Sequence, residues 1–235
     1  MTSASQPFDR PAAVLWDMDG TIVDTEPYWM AAEVALVESF GGSWSTEDAM
    51  QLVGSGLENS AVILQRAGVD LEVQQIIDRL TDEVLTQIDV AVPWRPGARE
   101  LIERLRDTRI PIALVTMSMR RMALRVADAI GPGTFDEVIG GDDVEHEKPH
   151  PEPYLTAAER LGVEISHCVA IEDSQFGLAS AIGSGAAAIG APLHLALQEG
   201  PTHVLWPSLE GRTIADLTAV LNAHHGFRPA AEARR

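Results

Sequence analysis

Ala12-Ala13-Val14-Leu15-Trp16-Asp17-Met18-Asp19-Gly20-Thr21 is the stretch from which the fold can be read. Five uncharged apolar residues that stop at an aspartate predict a short strand buried on both faces rather than a half-exposed one. Two carboxylates two residues apart then leave the carboxyl end of that strand into a turn loosened by Gly20, and open parallel sheets bind their ligands at such strand ends. Similar apolar runs recur at 110–115, 168–171, 186–189 and 203–206. Between them lie helical periodicities at 98–106, with Leu101, Ile102 and Leu105 on one face, and at 119–130, 153–161 and 176–182. Strands alternating with helices predict an α/β fold, a doubly wound parallel sheet with helices on both sides.

Residues 26–92 break the alternation with helical pattern alone, at 27–40, 46–53, 58–67 and 71–88. They carry twelve acids against Arg66 and Arg79, a net of −10. The expected organisation is a core domain begun by residues 1–25, a helical cap inserted at 26–92, and the core resumed over 93–235, re-entered near Pro93-Trp94-Arg95-Pro96-Gly97. The tail 229–235 is expected to fray.

The chain has 235 residues, 46% of them hydrophobic, and a net charge of −18, so it can bury a core while repelling phosphate backbones and anionic lipid. Neither a nucleic-acid nor a membrane partner is expected. One cysteine, Cys168, permits no internal disulfide and no thiol-rich metal site, and reads as a buried small hydrophobe. No stretch reaches the roughly 18 apolar residues of a membrane span, and the N-terminus lacks a basic stretch followed by an apolar run. A cytoplasmic protein, monomeric or weakly dimeric, is expected. Sixteen of the seventeen bases are Arg, so chemistry that needs a lysine must use Lys148.

Three further strand ends join Asp17 and Asp19. The run ending at Val115 leads into Thr116-Met117-Ser118 before a helix, offering a hydroxyl and backbone N–H groups to an anion, with Ser118 either a phosphate contact or a helix cap. The run ending at Ile171 leads into Glu172-Asp173-Ser174, adjacent acids that are costly to bury without a cation between them. Lys148-Pro149 precedes the helix that begins near Pro153. Four carboxylates at one rim, with no His or Cys, call for a hard divalent ion, Mg²⁺ by preference. A carboxylate beside that ion and a lysine can attack a phosphoryl group, while a second carboxylate of raised pKa protonates the leaving oxygen and later activates water.

In these four motifs, in this order, the chain resembles the haloacid-dehalogenase superfamily, specifically its phosphatases with a helical cap after the first strand, from Val14 to about Pro192. The resemblance implies that Asp17 is the nucleophile that forms an aspartyl-phosphate and Asp19 the general acid and base. It gives Thr116 the phosphoryl oxygens and Lys148 the role of charge clamp. Mg²⁺ would be held by the Asp17 carboxylate, the Asp19 carbonyl, Glu172 and Asp173. Met117 stands where many relatives have a small polar residue.

The superfamily also holds dehalogenases, which need no acid at Asp19, and a phosphonatase, which needs a cap lysine that residues 26–92 lack. A β-phosphoglucomutase-type mutase shares all four motifs. Trp29 stands where the mutases carry His, and the cap loop Gly54-Ser55-Gly56-Leu57-Glu58-Asn59-Ser60 has no Arg to grip a second phosphate. The expectation is a monophosphatase similar to bacterial sugar- and sugar-alcohol-phosphate phosphatases, with Trp29, Ser55, Asn59 and Ser118 against substrate and Trp29 equally able to be cap core. Phosphoglycolate and nucleoside monophosphates are the next substrates in line, and a non-enzymatic sensor or scaffold is the remaining alternative. His146 and His150 read as surface loop histidines, Asp142 and Asp143 as turn formers, Trp94 and Trp206 as packing, Asp24 as hinge, and His224-His225 as solvent-facing residues after the last helix.

Overall fold

The computed structural model describes residues 6–226, so the tail from 229 to 235 lies outside the described residues. Among the described residues, six parallel strands form one sheet in the order β3-β2-β1-β4-β5-β6: β1 (Ala13–Trp16), β2 (Ile112–Val115), β3 (Glu137–Ile139), β4 (Cys168–Glu172), β5 (Ala187–Gly190) and β6 (His203–Leu205). The order reverses between β1 and β4, which opens a crevice at their carboxyl ends. There Trp16 pairs with Ile171, so Asp17 and Glu172 emerge side by side.

Period-two alternation sorts the strand residues. Val14, Trp16, Ile112 and Leu114 face one side and Ala13, Leu15, Ala113 and Val115 the other, all buried. One side is packed by α5 (Ala98–Asp107), α6 (Arg120–Ile130) and α9 (Ile214–His224), the other by α7 (Glu152–Leu161) and α8 (Gln175–Ser184). The two sides make the doubly wound core that the alternation predicts.

Between β1 and α5 stand α1 (Glu26–Ser39), α2 (Thr46–Met50), α3 (Leu57–Arg66) and α4 (Val73–Val90). α4 packs against α1 and α3 through Ile76, Ile77, Leu80, Val84 and Ile88, a spacing of three to four residues that puts all five on one face. The chain leaves and re-enters the core along two neighbouring segments joined by an isolated antiparallel bridge at Val23 and Trp94: Asp24 donates its N–H to Pro93 O at 2.8 Å and Arg95 its own to Ile22 O at 2.8 Å. Asp24 therefore sits where the chain passes from the sheet core into the helical insertion.

Several boundaries differ from the expected ones. β3 has three residues, too short to stand out as an apolar run. α2 stops at Met50 instead of reaching Val53, and the chain goes on in tighter turns, with Gln51 N–H donating to Asp48 O and Leu52 N–H to Ala49 O. β6 is an edge strand of partly exposed residues rather than a buried run. His224 belongs to the last turn of α9 rather than following it; both histidines are exposed, as expected, and His225 donates its Nε2–H to Ser166 O at 2.7 Å with its ring 4.8 Å from that of Phe8. Cys168 is buried, as expected, and burial pushes its thiol up to about 12. No helix among the described residues is long and apolar enough to cross a membrane.

Candidate active site

The Lys148 ammonium is the electrostatic centre of the crevice. Its Nζ lies 2.8 Å from Asp17 Oδ1, 2.6 Å from Glu172 Oε1 and 2.8 Å from the Val115 carbonyl, with only 6% of the side chain exposed. Burial alone would lower a lysine, but the two carboxylates hold this one above its ordinary range. Tyr154, fully buried on α7, donates its hydroxyl to Glu172 Oε1 at 2.6 Å and presents its ring 5.2 Å from the Lys148 nitrogen. Gly177 on α8 packs against the Glu172 carboxyl so closely that a Cβ there would fall 2.0 Å from it.

Carboxylate oxygens of Asp17, Glu172 and Asp173 lie within 4.8 Å of one another. Burial and mutual repulsion raise Asp17 to about 7 and Asp173 well above its ordinary value, although Lys148 pulls the other way. Three carboxylates against one ammonium leave a surplus of two negative charges, the charge of one divalent ion. Asp17 Oδ2 is buried without a hydrogen-bond partner, an oxygen free to ligate. The all-oxygen donor set suits a hard cation. Glu172 fits less well than Asp17 and Asp173, because its Oε1 already takes Lys148 and Tyr154 and its Oε2 takes the Ser174 hydroxyl at 3.3 Å.

The Asp19 side chain turns away from this cluster. Oδ2 accepts Ser118 Oγ at 2.7 Å and Thr116 Oγ1 at 3.1 Å, and Oδ1 accepts the Thr25 hydroxyl and, at 3.4 Å, Trp29 Nε1. Strand end, following loop and first cap helix thus meet on one carboxylate. Ser118 is not a helix cap, since α6 is capped at Met119 and the Ser118 hydroxyl is spent on Asp19. Met117 serves as an acceptor, taking the Lys148 backbone N–H on its sulfur at 3.3 Å.

A cleft of about 120 Å³ opens from these groups toward the helical insertion, walled by Glu26, Trp29, Glu33, Ser55, Ser60 and Leu80 and by Phe176 and His194 from the core. Trp29 lines it and is also buried in the insertion's core. Asn59 does not line it: α3 begins at Leu57, so Ser60 turns inward while exposed Asn59 reaches back to Ser55 Oγ at 2.8 Å. Burial and the neighbouring Glu33, Asp19 and Asp24 charges raise Glu26 to about 8, and burial raises Glu33 to about 7 despite the Trp44 N–H on it. Neither Arg66 nor Arg79 reaches the cleft.

Sequence reasoning overlooked Tyr154, Thr25, His194 and Arg95. Arg95 is 7% exposed, and its guanidinium donates to Gly20 O, to Ala191 O at 2.7 Å and to Pro192 O at 3.3 Å, tying the Asp17–Gly20 turn to the loop after β5. His194 Nε2 lies 2.7 Å from Asp24 Oδ1, at the entry to the helical insertion. The one available signal for Arg95 was an arginine inside the re-entry segment of an otherwise apolar hinge. By contrast Asp142 and Asp143 form a turn, accepting from Arg120 and Gly140 N–H groups, and Trp94 and Trp206 pack, under Arg99 at 5.1 Å and Arg212 at 4.5 Å.

The model of the haloacid dehalogenase-like hydrolase family matches residues 11–185, well over half of the chain. The chain belongs to this family. It is 32% identical to the phosphorylated carbohydrates phosphatase of Thermotoga maritima over 77% of this chain and 85% of that protein. It is 30% identical to the fructose-1-phosphate phosphatase YqaB of Escherichia coli K12, over 77% and 97%. The fold superposes on β-phosphoglucomutase of Clostridium difficile with a TM-score of 0.80, covering 92% of this chain and 99% of that one at 21% identity. This hydrolase is a phosphatase of the family, with the parallel core and inserted helical cap of its structural neighbours.

Proposed function

We propose that this phosphatase hydrolyses the phosphate monoester of a small polyhydroxylated metabolite, a sugar or polyol phosphate, with Mg²⁺ and through an aspartyl-phosphate on Asp17. The observation that carries the reading is the arrangement of Lys148 between Asp17 and Glu172, with Asp19 held by hydroxyls of Thr116, Ser118 and Thr25 at the mouth of the same cleft. Asp17 and Asp173, with the Asp19 backbone carbonyl and Glu172 as the further ligands, would hold the metal, which supplies charge neutralisation for the transferring phosphoryl oxygens. Asp17 attacks phosphorus, the bond to the leaving oxygen breaks, and Asp19 gives that oxygen a proton. Asp19 then takes a proton from water as it attacks the phospho-aspartate, releasing phosphate and restoring both carboxyls. Lys148 and the Thr116 hydroxyl neutralise and orient the phosphoryl oxygens. Residues 26–92 serve as the cap that covers the reaction.

The cap wall favours the substrate class. Its titratable groups at the cleft are Glu26 and Glu33, and the basic residues among those lining it, Lys148 and His194, come from the core. Such carboxyls hydrogen-bond hydroxyls, and a cap wall without a cation at the cleft has nothing to pair with a second phosphate or a carboxylate, which disfavours bisphosphates and phosphoglycolate. Trp29 offers an apolar face to the carbon skeleton. Relatives named for phosphorylated carbohydrates and fructose 1-phosphate support the same class.

Phosphate release from sugar, polyol, glycolate and nucleoside monophosphates, with and without Mg²⁺, tests the reading. Sugar or polyol phosphates should be turned over best, and only with Mg²⁺. Preferred glycolate or nucleotide hydrolysis would contradict the substrate class, and conversion of β-glucose 1-phosphate to glucose 6-phosphate with a bisphosphate primer would make the chain a mutase.

A further inference from the structure

We propose that His146, His150 and Glu152 form a second cation site, for a borderline transition metal such as Zn²⁺, on the loop that carries Lys148. Glu152 opens α7, and its carboxylate is fixed by the backbone N–H groups of Glu145 at 2.8 Å and His146 at 3.0 Å. Two exposed imidazoles converge on that pinned group. His146 Nδ1 is 2.8 Å and His150 Nδ1 3.9 Å from the same oxygen, Oε2, and the rings lie 4.6 Å apart between centroids. All three donors fall within 4.8 Å of one another.

These separations bracket what a metal requires. With bonds of about 2.0–2.1 Å to nitrogen and oxygen, the donors of a tetrahedral zinc lie about 3.3 Å apart. The longer His150 distance closes by rotation of an exposed ring, which gives up only the 3.3 Å bond its Nδ1 accepts from the Glu152 N–H. The exposed face leaves the remaining coordination position to water. Hydrogen bonds from the two backbone N–H groups and His146 keep Glu152 below its ordinary value, so the carboxylate is anionic, and Glu145 and Glu147 add negative charge along the same loop. The donor set differs in kind from the all-carboxylate crevice. Imidazole selects Zn²⁺, Co²⁺ or Ni²⁺ over Mg²⁺, so the two sites take different ions. None of the three residues lines the cleft, yet His146 and His150 stand two residues to either side of Lys148. A bound ion would therefore tie together the segment that presents the lysine.

Titration calorimetry with Zn²⁺, in Mg²⁺ sufficient to saturate the Asp17 cluster, tests this on the wild-type protein, on His146→Ala and His150→Ala, and on His224→Ala as an exposed-histidine control. Each loop variant should weaken one Zn²⁺ event by roughly tenfold or more, while His224→Ala binds as wild type. Co²⁺ bound at the same stoichiometry should give visible d–d bands that vanish in the double loop variant. Zn²⁺ binding that is identical in wild type and in the double variant, or absent from wild type, would overturn the proposal. Because both rings are exposed, the variants should melt like wild type in Mg²⁺ alone. The readout is independent of turnover, so failure here leaves the phosphatase reading untouched.

Discussion

Lys148 is stable inside the protein because two carboxylates and a carbonyl surround it, and they are tolerable there because of it. Lys148→Met would leave Asp17 and Glu172 buried without a countercharge, and denaturant unfolding without Mg²⁺ should show a loss of about 3–5 kcal/mol. Asp19 makes a different prediction, since a proton donor matters only when the leaving oxygen needs a proton. Asp19→Asn should cost a polyol phosphate at least about 10²-fold in kcat but spare the first step with an activated aryl phosphate, a split that rapid-quench kinetics resolves. At this scale the sequence was readable where a residue type was scarce or placed at a strand end: the one lysine, and the acids that stop the apolar runs at Asp17 and Glu172. Tyr154 and Arg95 were not readable, because their partners lie 18 and 75 or more positions away and nothing local marks a buried hydroxyl or guanidinium. Asn59 was misplaced for a related reason. Only the start of α3 sets which of its first-turn residues faces inward.

Two glycines of α8 separate helix propensity from packing. A Cβ at Gly177 would fall 2.0 Å from the Glu172 carboxyl, whereas at Gly183 the nearest atom, Pro151 Cβ, is 3.8 Å away. Gly183→Ala should raise stability by roughly 0.5–1 kcal/mol, as expected for glycine replaced within a helix. Gly177→Ala should instead lower it by about 1–3 kcal/mol through overpacking and weaken Mg²⁺-dependent turnover by displacing Glu172. Thermal unfolding of the two variants side by side checks the contrast. Elements with long periodicity or sharp ends, such as β1, β4 and α4, were legible beforehand. β3 was not, since three residues carry too little pattern, and β6 lost its expected burial because the edge of the sheet exposes what a central position would cover.

Across the whole molecule the acidic insertion faces a core that answers its charge on one side. Arg121 pairs with Asp82 and Asp78, and Arg125 with Asp89 at 2.6 Å, joining α6 to α4. These pairs are exposed and add little stability. The cleft acids matter more. Glu26, at about 8, and Glu33, at about 7, both lie above their ordinary 4.5, so the folded state binds more protons than the unfolded one. Their contribution is fully present below about pH 4.5 and is lost as pH rises toward 8. Glu26→Gln with Glu33→Gln should therefore melt higher than wild type near pH 8 and converge with it at the acid end. The alternation of strands and helices made the core and its insertion legible, whereas the closeness of cap and core over the crevice depends on long-range packing that no local pattern encodes. The central claim is that Asp17 becomes phosphorylated. Asp19→Asn incubated with an aryl phosphate and Mg²⁺, quenched in acid and mapped by mass spectrometry, should carry a phosphoryl group on Asp17 that is absent when Asp17→Asn is added. Mg²⁺-dependent phosphate release with Asp17 unmodified at every quench time, or undiminished in the double variant, would contradict it.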